Sequence, residues 1–275
     1  MKNIAVVFGG FSSEHEVSVK SGKFIYENLK DNQSLNVSQI CISKESNYVI
    51  YDNNKYDLDY MNLSFNINGK KINLDGIFNI IHGEPGENGD LANILEKNNI
   101  PQTGCNSFVS DLTFDKKRYI DFVNKLDIPS SKHILLTSEN QFDLEKIMSE
   151  INIPCIVKPN NGGSSIGVSK VNHIYDLENK IKIAFKECNE VLIEDFLFGK
   201  EVSVGVIQKK DERIILPVTE IISENELFDY GAKYLGQSKE ITPANISNEE
   251  KNLIQKYINI ISVSYTHLTL PTSYA

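Results

Sequence analysis

The chain has 275 residues, enough for two or three packed subdomains, and its 40% hydrophobic and 24% charged residues are the balance of a globular protein. A formal net charge of −9 argues against non-specific nucleic-acid binding. Cysteines at 41, 105, 155 and 188 form no C-x-x-C pair, so neither zinc nor a disulfide framework is expected and the thiols read as buried. No leader precedes Ile4 and no apolar run reaches spanning length, which predicts a cytoplasmic protein without a membrane partner.

Residues 4–8 are continuously apolar, as in a strand buried on both faces. Gly9-Gly10 follows, and helical spacing then puts Val17, Phe24, Ile25 and Leu29 on one predicted face. A strand, a Gly-Gly turn and a helix start make a ligand mouth at the carboxyl end of a parallel strand. Glu14, His15 and Glu16 stand at that mouth, although the helix dipole also favours acids there. Residues 41–75 are polar and poorly periodic, with one hairpin around Asn53-Asn54, and read as a peripheral excursion of little functional content. A second buried strand over 76–81 ends in His82-Gly83-Glu84-Pro85-Gly86-Glu87-Asn88-Gly89, and Leu91, Ile94 and Leu95 mark a short helix. Five fixed positions of the form H-G-x-x-G-E-x-G arise by chance in roughly one chain in ten thousand of this length, so a generic turn is the weaker account.

Tyr119, Phe122, Val123 and Leu126 predict an amphipathic helix starting at Asp115-Lys116, where Lys116 alone reads as a solvated surface lysine. A strand over 132–136 and a helix over about 139–150 lead to residues 155–167. There an apolar run ending in Lys158-Pro159 opens into Asn160-Asn161-Gly162-Gly163-Ser164-Ser165 and returns to an alternating segment, giving strand, glycine-rich loop and strand. Gly162 and Gly163 are expected to take positive φ and gather backbone N–H groups around an anion. Ser164 and Ser165 add hydroxyl donors and Lys158 a mobile charge, so phosphate is the expected guest. The loop is neither Walker A nor Rossmann, and by itself a Gly/Ser-rich hairpin turn explains it equally well. A helix over 174–187 and strands over 191–197, 202–207 and 213–222 indicate an antiparallel sheet. Residues 228–234 are an exposed loop or a flap bearing Lys233 and Tyr234; Ser247 and Glu250 form a capping box for a helix with Leu253, Tyr257 and Ile261. Residues 263–275 fit no preceding pattern and are set aside as a non-native tail. The first hundred residues therefore read as α/β layers and the remainder as α+β.

Taken in register, Gly9-Gly10 with Ser13 to Ser18, the His82 to Gly89 motif, Asp115-Lys116, residues 156–167, Glu194 with Glu201, and Tyr230 to Tyr234 resemble the D-alanine–D-alanine ligase family of ATP-grasp enzymes over residues 1–260. The resemblance implies a Rossmann-like parallel-sheet domain (1–98), a central ATP-grasp subdomain (99–186) and an ATP-grasp fold lacking its last part (187–262). It implies ATP-dependent ligation of two D-alanines through an acyl phosphate, with Mg2+ or Mn2+ beside ATP and a homodimer in the complete protein. By motif, Lys116, Lys158, Gly163, Ser164, Ser165 and Lys233 would hold the phosphates, Glu194 and the backbone near Leu197 the adenine, and Glu201 the ribose. Glu14 would meet the ammonium of the first D-alanine beside His82, and Glu14, Ser164 and Tyr234 would form a triad closing the flap. The family's metal-binding Asp, Glu-x-Asn pair and oxyanion-stabilising Arg are not found in the sequence, so no metal ligand is assigned and the chain is expected to be inactive. Another ATP-grasp carboxylate–amine ligase, or a non-catalytic nucleotide-binding remnant, would share the nucleotide residues; Glu14, His82 and Tyr234 discriminate the first of these.

Overall fold

The computed structural model describes residues 1–139, 142–209, 212–223 and 238–264, which fall into two units, Met1–Phe114 and Asp115–Ala275. In the first, strand β1 (Lys2–Gly9) pairs in parallel with β2 (Leu35–Ile42) and β7 (Gly76–Asn79). An antiparallel hairpin, β3 (Tyr48–Tyr51) and β4 (Asn54–Asp57), completes a five-stranded sheet in the order β4-β3-β2-β1-β7. Ala5, Val6, Val7 and Phe8 are all buried, as the continuous apolar run requires. Ala5 and Val7 join the core that includes Leu91 and Leu95 of α2 (Asp90–Lys97), whereas Val6 and Phe8 pack under α1 (His15–Leu29).

Helix α1 docks on a face rotated from the expected one. Phe24 is 68% exposed, and the buried line runs through Ser18 and Gly22, flanked by Ile25 and Leu29. The contact is set by closeness rather than bulk: a Cβ at Gly22 would lie 2.4 Å from Phe8 Cδ1. Apolar spacing misses this face because its two buried residues are small and not apolar.

The excursion over 41–75 is not peripheral. Val49, Leu63, Phe65 and Leu74 are buried in the main core of the unit. The hairpin at Asn53 is present, with Asp52 and Asn53 at positive φ, and a second hairpin joins β5 (Ser64–Ile67) to β6 (Lys70–Asn73) through Asn68-Gly69. Asparagines here supply left-handed turn positions, which lowers the apparent periodicity without marking disorder. A further helix, α3 (Ser107–Phe114), ends the unit.

The second unit opens with α4 (Lys116–Asn124), capped by Asp115, whose carboxylate accepts from Arg118 N at 2.9 Å. Strands β8 (His133–Leu136), β9 (Cys155–Pro159), β10 (Ser169–Val171) and β11 (Val191–Asp195) make an antiparallel sheet in the order β10-β9-β11-β8. Cys155, Val157, Val191 and Ile193 turn to a core shared with α5 (Leu144–Glu150) and α6 (Ile174–Phe185). The period of two sends Ile156, Lys158, Leu192 and Glu194 to the other face. Helix α5 starts later than expected because Asp143 caps it, accepting from Glu145 N and Lys146 N.

The two strands expected over 202–207 and 213–222 each divide. They form β12 (Glu201–Ser203), β13 (Val206–Lys209), β14 (Glu212–Ile215) and β15 (Thr219–Ser223). Gly205 and Pro217 stand at the breaks, and Pro217 has no N–H to continue a ladder. β13 and β14 pair with each other, while β12, β15 and β16 (Ser238–Ile241) make a separate antiparallel sheet. Helix α7 (Asn248–Ser264) begins at the predicted capping box: Ser247 N donates to Glu250 Oε2 at 2.6 Å, and Glu250 N donates to Ser247 Oγ at 3.2 Å. It continues two residues into the stretch set aside as a tail.

Candidate functional site

The first unit builds a mouth at the carboxyl ends of β1 and β7. The chain leaves β1 for β2 on one side and reaches β7 on the other, so a crevice opens where strand order reverses. Gly9 and Gly10 both have φ of 100°, and a Cβ at Gly9 would lie 2.2 Å from Ile42 O. Only glycine allows the chain to turn so close to β2. Ser12 then ties the two loops together, its Oγ donating to His82 O at 2.8 Å and accepting from Glu14 N at 3.2 Å. Glu14 is the N-cap of α1 and only 4% exposed. Its Oε2 would lie 3.8 Å from a Cβ at Gly83, which places the carboxylate beside the residue after His82. Glu14 and His82 are thus brought to one mouth.

The H-G-x-x-G-E-x-G motif explains itself locally. Gly83 N donates to Glu87 Oε2 at 2.8 Å, and Gly86 N and Glu87 N both donate to Gly83 O at 2.9 Å. The loop is a closed hydrogen-bonded frame that holds His82 at the strand end. His15 stands at the mouth as expected and makes a 2.9 Å hydrogen bond between Nδ1 and Gly10 O, supporting the turn. On the β2 side of the Gly-Gly turn lies a cleft of about 370 Å³ bounded by Phe11, Ser12, Glu16 and the segment Ser43 to Glu45. Residues read as functionally empty therefore border this face.

The second unit carries its polar residues on the sheet face opposite α5 and α6. Lys158 on β9 and Glu194 on β11 are diagonal neighbours in the register Leu192↔Lys158 and Ile156↔Glu194, and their ion pair is 2.5 Å long. Ser131 Oγ donates to the other Glu194 oxygen at 3.1 Å. Lys116 is not a solvated lysine. It is half-buried, and its Nζ donates to Asn160 O at 3.1 Å and Gly162 O at 2.9 Å. Burial first, then the charge of Lys158, lowers its pKa from 10.5 to about 8. Two lysines thus meet at the root of the glycine-serine loop, where an anion would relieve their repulsion.

Gly162 takes positive φ as expected, but Gly163 does not; Ser164 and Ser165 do, at 49° and 58°. With Ile166 N donating to Gly163 O at 3.1 Å, residues 163–166 have the φ signature of a type I′ turn. Left-handed geometry on two successive L-residues is strained by about 1–3 kcal/mol each and is characteristic of ligand clamps. Beyond β11, Phe196 and Phe198 pack edge to face at 4.9 Å, Lys170 Nζ lies 4.3 Å over Phe196, and Leu197 is 67% exposed. Glu201 lies on β12, in the three-stranded sheet, opposite Ile221.

Lys233 and Tyr234 lie outside the described residues. Among those described, no three His, Cys, Asp or Glu side chains are grouped to hold a cation, and no helix is long and apolar enough to cross a membrane. Cys41 and Cys155 are buried free thiols, while Cys105 and Cys188 are only partly covered. Burial raises the Cys155 pKa to about 11, so it is no nucleophile. Sequence reasoning missed Ser131, Asn160 and Glu190, which contact the lysines or their partners. Their signal is weak, because each is an ordinary polar residue whose importance depends on strand pairing.

The family model described as D-ala D-ala ligase N-terminus matches residues 3–105, and that described as D-ala D-ala ligase C-terminus matches residues 122–268. The D-alanine–D-alanine ligase of Flavobacterium psychrophilum is 44% identical over 252 residues, covering 92% of this chain and 76% of the relative. That of Christiangramia forsetii is 42% identical over 255 residues, covering 92% and 78%. Among solved structures, D-alanyl-alanine synthetase A of Vibrio cholerae superposes with a TM-score of 0.82 at 26% identity, covering 96% of this chain and 81% of that one. The VanG D-Ala:D-Ser ligase of Enterococcus faecalis gives 0.79 at 29% identity, covering 96% and 82%. The architecture is that of ATP-grasp ligases, and the chain belongs to the D-alanine–D-alanine ligase family.

Proposed function

We propose that this protein joins two D-alanines into D-alanyl-D-alanine at the expense of ATP, through an acyl phosphate, in peptidoglycan synthesis. The observation that carries the reading is Lys116, its Nζ on Gly162 O at the root of the loop that turns through left-handed Ser164-Ser165, and close enough to Lys158 for that charge to lower its pKa. A carboxylate is a poor acylating agent until its oxygen becomes a phosphate leaving group. Bringing a carboxylate up to a triphosphate requires cations to offset like charge, and two lysines at one loop root supply them. Gly163, Ser164 and Ser165 would cradle the phosphates, and Lys233 would join them. Glu194, the backbone near Leu197, and Glu201 would hold the nucleoside. Glu14 would receive the ammonium of the first D-alanine beside His82, and Ser164 and Tyr234 would link to it in closing the flap. Water exclusion by such a flap would protect the acyl phosphate from hydrolysis.

Family membership supports Mg2+ or Mn2+ alongside ATP, although the described residues supply no ligand set for a cation. The same membership supports a cytoplasmic homodimer, and a division into an amino-terminal domain (1–98), a central subdomain (99–186) and a third part (187–262). D-Alanine as second substrate follows the named activity of the curated relatives. D-Serine is the competitor to test, since one similar structure is a D-Ala:D-Ser ligase.

The test is calorimetric titration of D-alanine, L-alanine, D-serine and D-lactate into the ATP-saturated protein, with mass spectrometry for ADP and dipeptide. D-Alanine is expected to bind more tightly than the other three, and Glu14→Gln to weaken it about tenfold or more by removing a charge-assisted contact. Equal affinity for L-alanine, or indifference to Glu14→Gln, would overturn the assignment.

A further inference from the structure

Asn160 is fully buried where β9 passes into the glycine-serine loop. Its Nδ2, with two N–H groups to share, lies 2.9 Å from Glu190 Oε2, 3.0 Å from Asp115 Oδ1 and 3.1 Å from Asn161 Oδ1. Its Oδ1 accepts from Lys117 N at 2.9 Å, which fixes the amide orientation, since the opposite assignment would set a donor against a donor. The main chain is engaged as well: Asn160 N donates to Glu190 O at 2.9 Å, and Asn160 O accepts from Lys116 N at 3.2 Å and Lys116 Nζ at 3.1 Å. Every polar atom of this residue has a partner.

The partners belong to three different pieces of the unit: the first turn of α4, the root of the loop and the approach to β11. Those pieces carry Lys116, Gly162 to Ser165, and Glu194. We infer that Asn160 is a positioning residue for the anion site, fixing Lys116 against Lys158 and setting the exit angle of the glycine-serine loop. The amide suits the local demand. A neutral amide donates to two carboxylates and accepts from a helix N-terminus at once, whereas aspartate would bring a third carboxylate against Asp115 and Glu190, and serine lacks the reach. Buried polar groups satisfied on every side specify one geometry, and a half-satisfied version of the same network costs more than none.

The inference rests on the reading that Lys116 and Lys158 bind phosphate, so the test separates the two. Lysines are labelled biosynthetically with ¹³C at Cε, and the Lys116 resonance, assigned with Lys116→Arg, is followed against pH; ATP binding is measured by calorimetry on the same proteins. The titratable groups around Lys116 are Lys158 on β9, Glu194 on β11, Cys188 ahead of β11 and Asp115 at the helix start. In Asn160→Ala, the Lys116 titration is expected to rise from near 8 toward 10.5 as the lysine, no longer fixed against Lys158, regains water, and ATP to bind about tenfold more weakly, the value of a hydrogen bond to a charged group. Glu190→Ala, at a half-buried position, is expected to move both in the same direction by less. If Asn160→Ala does not fold, Glu190→Ala decides alone. A folded variant with the Lys116 titration unmoved and ATP affinity within about twofold of wild type would overturn the inference. Wild-type protein that does not bind ATP would instead sink the ligase reading, while the Lys116 titration would still judge Asn160.

Discussion

Lys116 is withdrawn from water and shares its surroundings with Lys158, so its proton is easier to lose than that of a surface lysine, even though two main-chain carbonyls accept from it. The consequences have definite signs. Protonated Lys116 attracts phosphate, so nucleotide affinity is expected to fall as pH rises through about 8. A bound polyphosphate favours the charged form, and binding at pH 8 should therefore take up about half a proton per nucleotide through Lys116, a contribution that vanishes at about pH 6.5 where the lysine is already charged. Calorimetry in buffers of different ionisation enthalpy measures this uptake, and a proton count of zero at pH 8 would place Lys116 away from the phosphates. For folding the sign is opposite to that of a stabilising lysine pair. The native pKa is below the unfolded one, so the penalty of burying this charge is complete below about pH 8 and is relieved as pH climbs from there toward 10.5. Residue type gave no hint of this, because Lys116 at a helix start is an ordinary surface pattern. The second carbonyl partner, forty-six positions away, makes it unusual.

At the scale of elements, α1 separates two kinds of information in a sequence. That a helix follows the Gly9-Gly10 turn was legible from spacing, and it spans His15–Leu29. Which face it buries was not, because the interface is made by Ser18 and Gly22 rather than by bulk. Ser18 Oγ donates to Ile80 O at 2.7 Å and accepts from Gly9 N at 2.8 Å, so the small polar residue fastens the helix to both strands that frame the mouth. Helix propensity alone would have Gly22→Ala stabilise the protein by about 1 kcal/mol. The 2.4 Å approach to Phe8 predicts the reverse, a loss of about 1–3 kcal/mol from overpacking, read as a lower urea midpoint. A gain in stability would show that α1 does not sit as described. The divided strands at Gly205 and Pro217 carry the same lesson: composition announced β structure, but one glycine and one proline decided how many strands there are. The capping box at Ser247 and Glu250 needed no tertiary information and was legible in full.

Across the molecule, each unit gathers its chemistry at one side of its sheet. In Met1–Phe114 it is the mouth beside β1, with Glu14 buried beside Gly83; in Asp115–Ala275 it is the face carrying Lys158, Glu194 and the serine turn. The first pattern was legible because strand, glycine turn and helix start form a local unit, and the second because glycine and serine cluster after an apolar strand ending in lysine. What could not be read is the support beneath them. The Asn160 hub, the Ser131 contact and the core role of Leu63 and Phe65 all depend on long-range pairing.

The central claim is that the second unit binds ATP through its paired lysines. The direct measurement is an ATP titration at pH 7 of wild type and Lys158→Met, with circular dichroism to show that both are folded. Saturable binding by wild type, weakened about ten- to a hundredfold by loss of one charge-assisted contact, is the predicted result. Equal affinity in a folded Lys158→Met, or no binding by wild type, would contradict it.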